Sequence, residues 1–203
     1  MKIIITGAAG YIGTKLISEL SKLDYQLTCI DNLMFDQKNM SFMNNKKINF
    51  IKGDVRDQNL MKELINKNDV FIPLAAIVGA PLSAKMPLET EEINFGSIDF
   101  MCKHLSKDQR VIMPVTNSGY GIGKKDEFCD ENSPLNPISA YGQTKVRAEK
   151  VIMERENSIS FRLATVFGTS ERMRVDLLVN NFTHIAVFEK YLKLYEPHFR
   201  RNY

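Results

Sequence analysis

Tryptophan is absent from this chain, and histidine and cysteine occur only three times each. Cys29, Cys102 and Cys129 are an odd number without CxxC or Cys/His spacing, which argues against a disulfide framework and a zinc site. His104, His184 and His198 are too scattered to suggest a metal, so none is expected. No apolar run approaches the roughly 18 residues that a membrane span needs. Neither sign of charge dominates: 27 basic residues are interspersed with 24 acidic ones, a net +3. The longest basic runs are pairs, including Lys46-Lys47 and Lys124-Lys125, so no basic stripe marks a nucleic-acid footprint. A strand beginning at Lys2 leaves no room for a cleavable signal. These absences predict a soluble cytoplasmic protein with neither nucleic acid nor membrane as partner.

What is present suits one domain with an appendage: 203 residues, 44% of them hydrophobic. Strand-length apolar runs at 2–6, 26–30, 48–52, 69–72, 110–115 and 158–163 alternate with helical periodicity at 11–23, 57–67, 88–106 and 139–155. Strands of continuous apolar character between helices predict an α/β fold, a Rossmann-like, doubly wound parallel sheet with helices on both faces. Residues 117–138 lack periodicity and are rich in Gly, Pro, Asn and Asp, a candidate active-site loop. Farther on, residues 175–186 have helical spacing and 191–195 alternate like a short strand. The chain then stops at Arg200-Arg201-Asn202-Tyr203, as if more sequence were expected.

Directly after the first strand, Gly7-Ala8-Ala9-Gly10-Tyr11-Ile12-Gly13 opens a helix. A loop of this kind lets a pyrophosphate approach unpaired N–H groups and the positive end of the helix dipole. The second strand ends at Asp31, where a carboxylate can accept from an adenosine ribose diol, with Asn32 beside it. Asp31 would repel a 2′-phosphate and no Arg follows it closely, which favours NAD over NADP. Asp54, followed by Val55, ends the third strand at the same sheet edge and could reach the adenine amino group, although Asp57 as a helix cap explains much of that cluster. Leu74-Ala75-Ala76 offers small side chains where a cofactor passes close, or plain helix–sheet packing. Tyr141 and Lys145, four residues apart at a helix start, share one face, so an ammonium can sit beside a phenol or a ribose hydroxyl. A phenol titrates near pH 10, so acting as a base near neutrality requires about 4 kcal/mol of help for the anion.

These residues together resemble the extended short-chain dehydrogenase/reductase family, the NAD-dependent nucleotide-sugar epimerases and dehydratases. Asn94, Thr116 through Tyr120-Gly121, Pro137 through Tyr141, and Arg162 through Gly168 extend the match, in family order. The resemblance implies that tyrosinate Tyr141 takes a proton from a sugar hydroxyl while its carbon gives hydride to NAD. Lys145 would hold the ribose and depress the phenol, and Thr116 would align the reacting oxygen, with Ser118 its nearby competitor. Asn94 would lie near the catalytic helix and cofactor. Dehydratases of the family place an Asp-Glu pair after the hydroxyl residue, where this chain has Asn117 and Ser118, so 4-epimerase chemistry on a nucleotide-diphosphate sugar ranks above dehydration. A reductase, or a catalytically silent NAD-binding protein without a substrate lobe, are the alternatives.

By the same resemblance, residues 1–168 form the NAD-binding domain and 169–203 begin an incomplete, truncated substrate lobe. Arg201 would contact the substrate diphosphate and Asn180 the sugar nucleotide. A homodimer would form by packing the 88–106 and 139–155 helices as a four-helix bundle. Ile93, Phe100, Met101, Val146 and Val151 permit this and equally suit burial against the sheet.

Overall fold

A computed structural model describes residues 1–35, 41–122 and 128–194. Arg201, His198, Lys124 and Lys125 lie outside the described residues. The strands are β1 (Lys2–Thr6), β2 (Gln26–Asp31), β3 (Ile48–Lys52), β4 (Val70–Pro73), β5 (Arg110–Thr116) and β6 (Ser158–Leu163). They form one sheet in the order β3-β2-β1-β4-β5-β6, and every neighbouring pair is parallel. The strand order reverses beside β1, which opens a crevice at the carboxyl ends of β1 and β4.

Alternation along each strand feeds two cores. Ile3 and Ile5 face one side of the sheet, where they pack with Ile17 of α1 (Tyr11–Leu20). Ile4 faces the other side, in a cluster with Met61 of α2 (Gln58–Ile65) and Ile152 of the long helix 140–153. Burial on both faces is why β1 and β4 read as unbroken apolar runs. Asp57 caps α2, its Oδ1 accepting from the N–H groups of Asn59 and Leu60 at 3.0 and 3.1 Å.

Three segments differ from the sequence expectation. A short helix, α3 (Ala80–Lys85), stands where no element was expected. The expected continuous helix 88–106 is three pieces: α4 (Pro87–Glu91), a π-helical stretch (Glu92–Gly96) and α5 (Ser97–His104). The wider turn carries Asn94 inward, where its carboxamide binds the backbone of Ile77 in both directions: the Ile77 N–H donates to Oδ1 at 2.8 Å and Nδ2 donates to the Ile77 carbonyl at 2.9 Å. The expected strand 191–195 is absent over residues 191–194, which are irregular and exposed. Their alternation reflects no burial, and no strand there pairs with β6.

The helix α6 (Ala140–Met153) begins at Ser139, whose Oγ accepts from the Gly142 N–H at 3.1 Å. Beyond β6 comes α7 (Leu178–Phe188). Ile93 and Met101 are buried within the chain, whereas Phe100, Val146 and Val151 are half-buried. On β6, Ser160 and Arg162 face α6, while Ile159 and Phe161 are 45% and 49% exposed, so among the described residues that face of the edge strand is not covered. No helix of the described residues is long and apolar enough to cross a membrane.

Candidate active site

A cleft of about 680 Å³ runs along the carboxyl ends of the strands. Its floor is the glycine loop. Gly7 has φ +66°, and a Cβ there would lie 2.6 Å from the Ala75 amide nitrogen; one on Gly13 would lie 2.5 Å from the Gly7 carbonyl oxygen. Backbone blocks both positions, so only glycine lets the turn and α1 close on each other. The Gly10 N–H donates to the Gly7 carbonyl at 3.0 Å and the Thr14 N–H to the Gly10 carbonyl at 3.0 Å. The N–H groups between them, of Tyr11, Ile12 and Gly13, have no acceptor among the described residues and line the cleft. This is a cradle for an anion, and it fits a dinucleotide pyrophosphate.

Asp31 is buried at the end of β2. Its Oδ2 accepts from the Ala9 N–H at 3.0 Å and its Oδ1 from the Leu33 N–H at 2.8 Å. An ionised carboxylate has about four acceptor sites, so capacity for a ribose diol remains after these two bonds. Burial pushes the Asp31 carboxyl up, while the two N–H groups and the charge of Arg172 hold it down. Asn32 and Val55 lie on the cleft wall, but Asp54 does not. Its carboxylate accepts from Arg56 Nε and Nη2 at 2.9 and 2.8 Å, from the Arg56 N–H at 2.9 Å and from Asn32 Nδ2 at 2.9 Å. With that capacity used, Asp54 positions Asn32 rather than facing the adenine end itself. Arg56 holds the Asp54 carboxyl well below the usual carboxylate range.

Leu74, Ala75 and Ala76 form the wall after β4, where Thr6 accepts from the Leu74 N–H with its carbonyl and from the Ala75 N–H with Oγ1. Asn94 lies behind this wall. Besides gripping Ile77, its Nδ2 is 3.4 Å from Thr144 Oγ1, which ties the π-helical stretch to the first turn of α6. At the other end of the cleft, Tyr141 and Lys145 of α6 and Thr116 at the end of β5 share the wall with Ser118. Thr116 Oγ1 accepts from the Ser118 N–H at 3.1 Å. The Tyr141 N–H donates to Ser83 Oγ at 3.2 Å, so α3, unseen in the sequence, sets the first turn of α6.

Burial pushes the Tyr141 phenol up; the Thr116 hydroxyl and the charge of Arg174 pull the other way. Lys145 is buried, which brings its amine down to about 8 against the pull of Glu149. Thr116 and Arg174 are thus the protein groups that oppose the effect of burial on the phenol. Asn180 is buried away from the cleft and serves as a clasp: Oδ1 accepts from the Gly168 N–H at 2.9 Å, and Nδ2 donates to Tyr11 Oη at 3.0 Å and to the Arg174 carbonyl at 2.9 Å. Arg172, Arg174 and Asp176 also line the cleft, and none stood out in the sequence. Their one sequence signal is an Arg-x-Arg spacing, which puts both arginines on the same side of an extended segment.

A family model described as "NAD dependent epimerase/dehydratase family" matches residues 3–192. The chain is 32% identical over 154 residues to a putative UDP-glucose 4-epimerase of Methanocaldococcus jannaschii, covering 74% of this chain and 49% of that relative. It is 33% identical over 146 residues to a UDP-N-acetyl-alpha-D-glucosaminuronate decarboxylase of Bacillus cytotoxicus, covering 71% and 44%. Among solved structures, a UDP-glucuronic acid 4-epimerase from Bacillus cereus, in complex with UDP-glucuronic acid and NAD, superposes with a TM-score of 0.78 at 27% identity, covering 92% of this chain and 63% of the other. The chain spans about half the length of these curated relatives.

Proposed function

The chain belongs to the NAD-dependent epimerase/dehydratase family, and from that premise we propose that it binds NAD in the cleft and acts on a hydroxyl of a nucleotide-diphosphate sugar, as a 4-epimerase. The observation that carries this reading is that Tyr141, Lys145 and Thr116 line the same cleft as the glycine loop. Tyr11, Ile12 and Gly13 would hold the pyrophosphate with their N–H groups, and Asp31 would accept from the ribose hydroxyls. NAD bound there supplies the acceptor for the hydride of a sugar carbon.

The protein's own residues handle the proton. The Tyr141 phenolate takes it from the sugar hydroxyl and becomes the neutral phenol, and the Thr116 hydroxyl fixes the sugar oxygen in line. Lys145 lies four residues on, on the same helix and in the same cleft, and would hold the ribose with its amine, which Glu149 helps keep charged against burial. The positions after Thr116 are Asn117 and Ser118, which lack a carboxyl to eliminate water, so epimerisation is favoured over dehydration. A cytoplasmic setting suits Cys29, Cys102 and Cys129, all free thiols.

Incubation of the purified chain with NAD and UDP- or dTDP-hexoses tests this reading, with the products separated by chromatography. Interconversion of 4-epimers without net consumption of NAD is expected. Release of a 4-keto-6-deoxy product would replace epimerisation with dehydration, and NAD binding with every sugar unchanged would leave a cofactor-binding protein without turnover.

A further inference from the structure

Residues 168–177, between β6 and α7, form a strap along the cleft, which Arg172, Arg174, Asp176 and Leu177 line. The Gly168 carbonyl accepts from Tyr11 Oη at 2.7 Å, Ser170 Oγ donates to the Tyr11 carbonyl at 2.7 Å and lies 2.8 Å from Thr14 Oγ1. Glu171 Oε1 accepts from Ser41 Oγ at 2.7 Å. These bonds pin the strap over the first turn of α1 and toward the chain that follows β2. Along it the side chains alternate: Glu171, Met173 and Val175 are exposed, whereas Arg172 and Arg174 are half-buried and line the cleft.

Every other arginine among the described residues has a polar partner. Arg56 pairs with Asp54 and Glu92, Arg147 with Glu91, Arg162 with Glu149 and Arg174 with Asp176, while Arg110 and Arg155 bond to Asn157 and to backbone carbonyls. Arg172 has none among the described residues. Its guanidinium lies 5.8 Å from the centre of the Phe35 ring, which lines the cleft next to the Asp31 end. Arg172 is close enough to Asp31 and Asp176 for its charge to lower both carboxyls, yet it forms no hydrogen bond or ion pair with either among the described residues; a half-buried guanidinium beside an aromatic face keeps its planar fork of donors free, and that fork matches phosphate oxygens.

We propose that Arg172 is a phosphate-recognition residue of the dinucleotide site, meeting a phosphoryl group of the cofactor from the segment pinned to the first turn of α1. The proposal rests on the NAD reading above and adds a binding residue that the glycine loop does not supply. The phosphoryl group is either the diphosphate, common to NAD and NADP, or the 2′-phosphate of NADP. The sequence gives Asp31 no nearby arginine, but the fold brings one from 141 positions along the chain.

Calorimetric titration of the full chain, Arg172→Gln and Arg172→Lys with NAD, NADP and adenosine tests it. Arg172→Gln is expected to weaken dinucleotide binding about tenfold while adenosine stays within about twofold, and Arg172→Lys, which keeps the charge, to lose about threefold or less. Equal losses for NAD and NADP assign the contact to the diphosphate; a loss confined to NADP assigns it to the 2′-phosphate. Parental affinity of Arg172→Gln for both dinucleotides, or an equal loss for adenosine, overturns the proposal while leaving the functional reading intact. A parent chain that binds no dinucleotide overturns both.

Discussion

Tyr141→Phe is expected to lower turnover by between about a hundredfold and ten-thousandfold, the usual range for removing a positioned acid–base group. The variant should bind NAD within about threefold of the parent, because phenylalanine keeps the ring packed on the cleft wall and the cradle lies at the other end of the cleft. Stability should change by about 0.5 kcal/mol or less, since the first turn of α6 is held by Ser139 and Ser83 through backbone N–H groups and not by the phenol. Steady-state rates with the sugar nucleotide that the parent converts best, alongside NAD titration, check both halves. Unchanged turnover would remove Tyr141 as the base.

The second large effect concerns stability. Glu149, 7% exposed at its side chain, lies two turns after Tyr141 and one after Lys145 on α6. Its carboxylate accepts from Arg162 Nε at 3.0 Å on both oxygens and from Ser160 Oγ at 2.6 Å. Arg162 continues to Tyr120 Oη at 3.2 Å and the Glu131 carbonyl at 3.0 Å, so one buried ion pair ties α6 to β6 and to the loop after β5. Glu149→Ala leaves the Arg162 guanidinium without its counter-charge and takes from Lys145 the carboxylate that supports its ammonium. A loss of about 3–5 kcal/mol is expected, as for other broken buried pairs. That is a large share of the roughly 5–15 kcal/mol that holds a domain folded. The urea midpoint measures it, with Glu149→Gln expected to fall between parent and alanine. A loss under about 1 kcal/mol for Glu149→Ala would mean that the pair contributes little.

The sheet was legible because burial on both faces leaves β1 and β4 as continuous apolar runs, and the site because glycines at 7, 10 and 13 precede a helix and Asp31 ends the next strand. The π-helical stretch was not, since a single wide turn within residues 88–106 leaves almost no mark on the periodicity. Asn94 and Asn180 stood out as polar residues in the right places, yet their carboxamides bind backbone inside the fold, a role no spacing reveals. Arg172 was invisible for a different reason: contacts such as that of Ser170 with Thr14 join residues 156 positions apart, and only the closed chain brings the strap to the cleft. The side chains of Ile159 and Phe161, uncovered among the described residues, look like any strand's apolar residues until the sheet edge is drawn.

The most direct measurement is calorimetric titration of the unmodified chain with NAD. Saturable binding at one site per chain, competed by ADP-ribose, is predicted by a cradle of three N–H groups without a partner among the described residues, beside a carboxylate with acceptor capacity to spare. No heat of binding and no competition, with the chain shown to be folded, would contradict the cleft's assignment as a dinucleotide site and with it the roles given to Tyr141, Lys145 and Thr116.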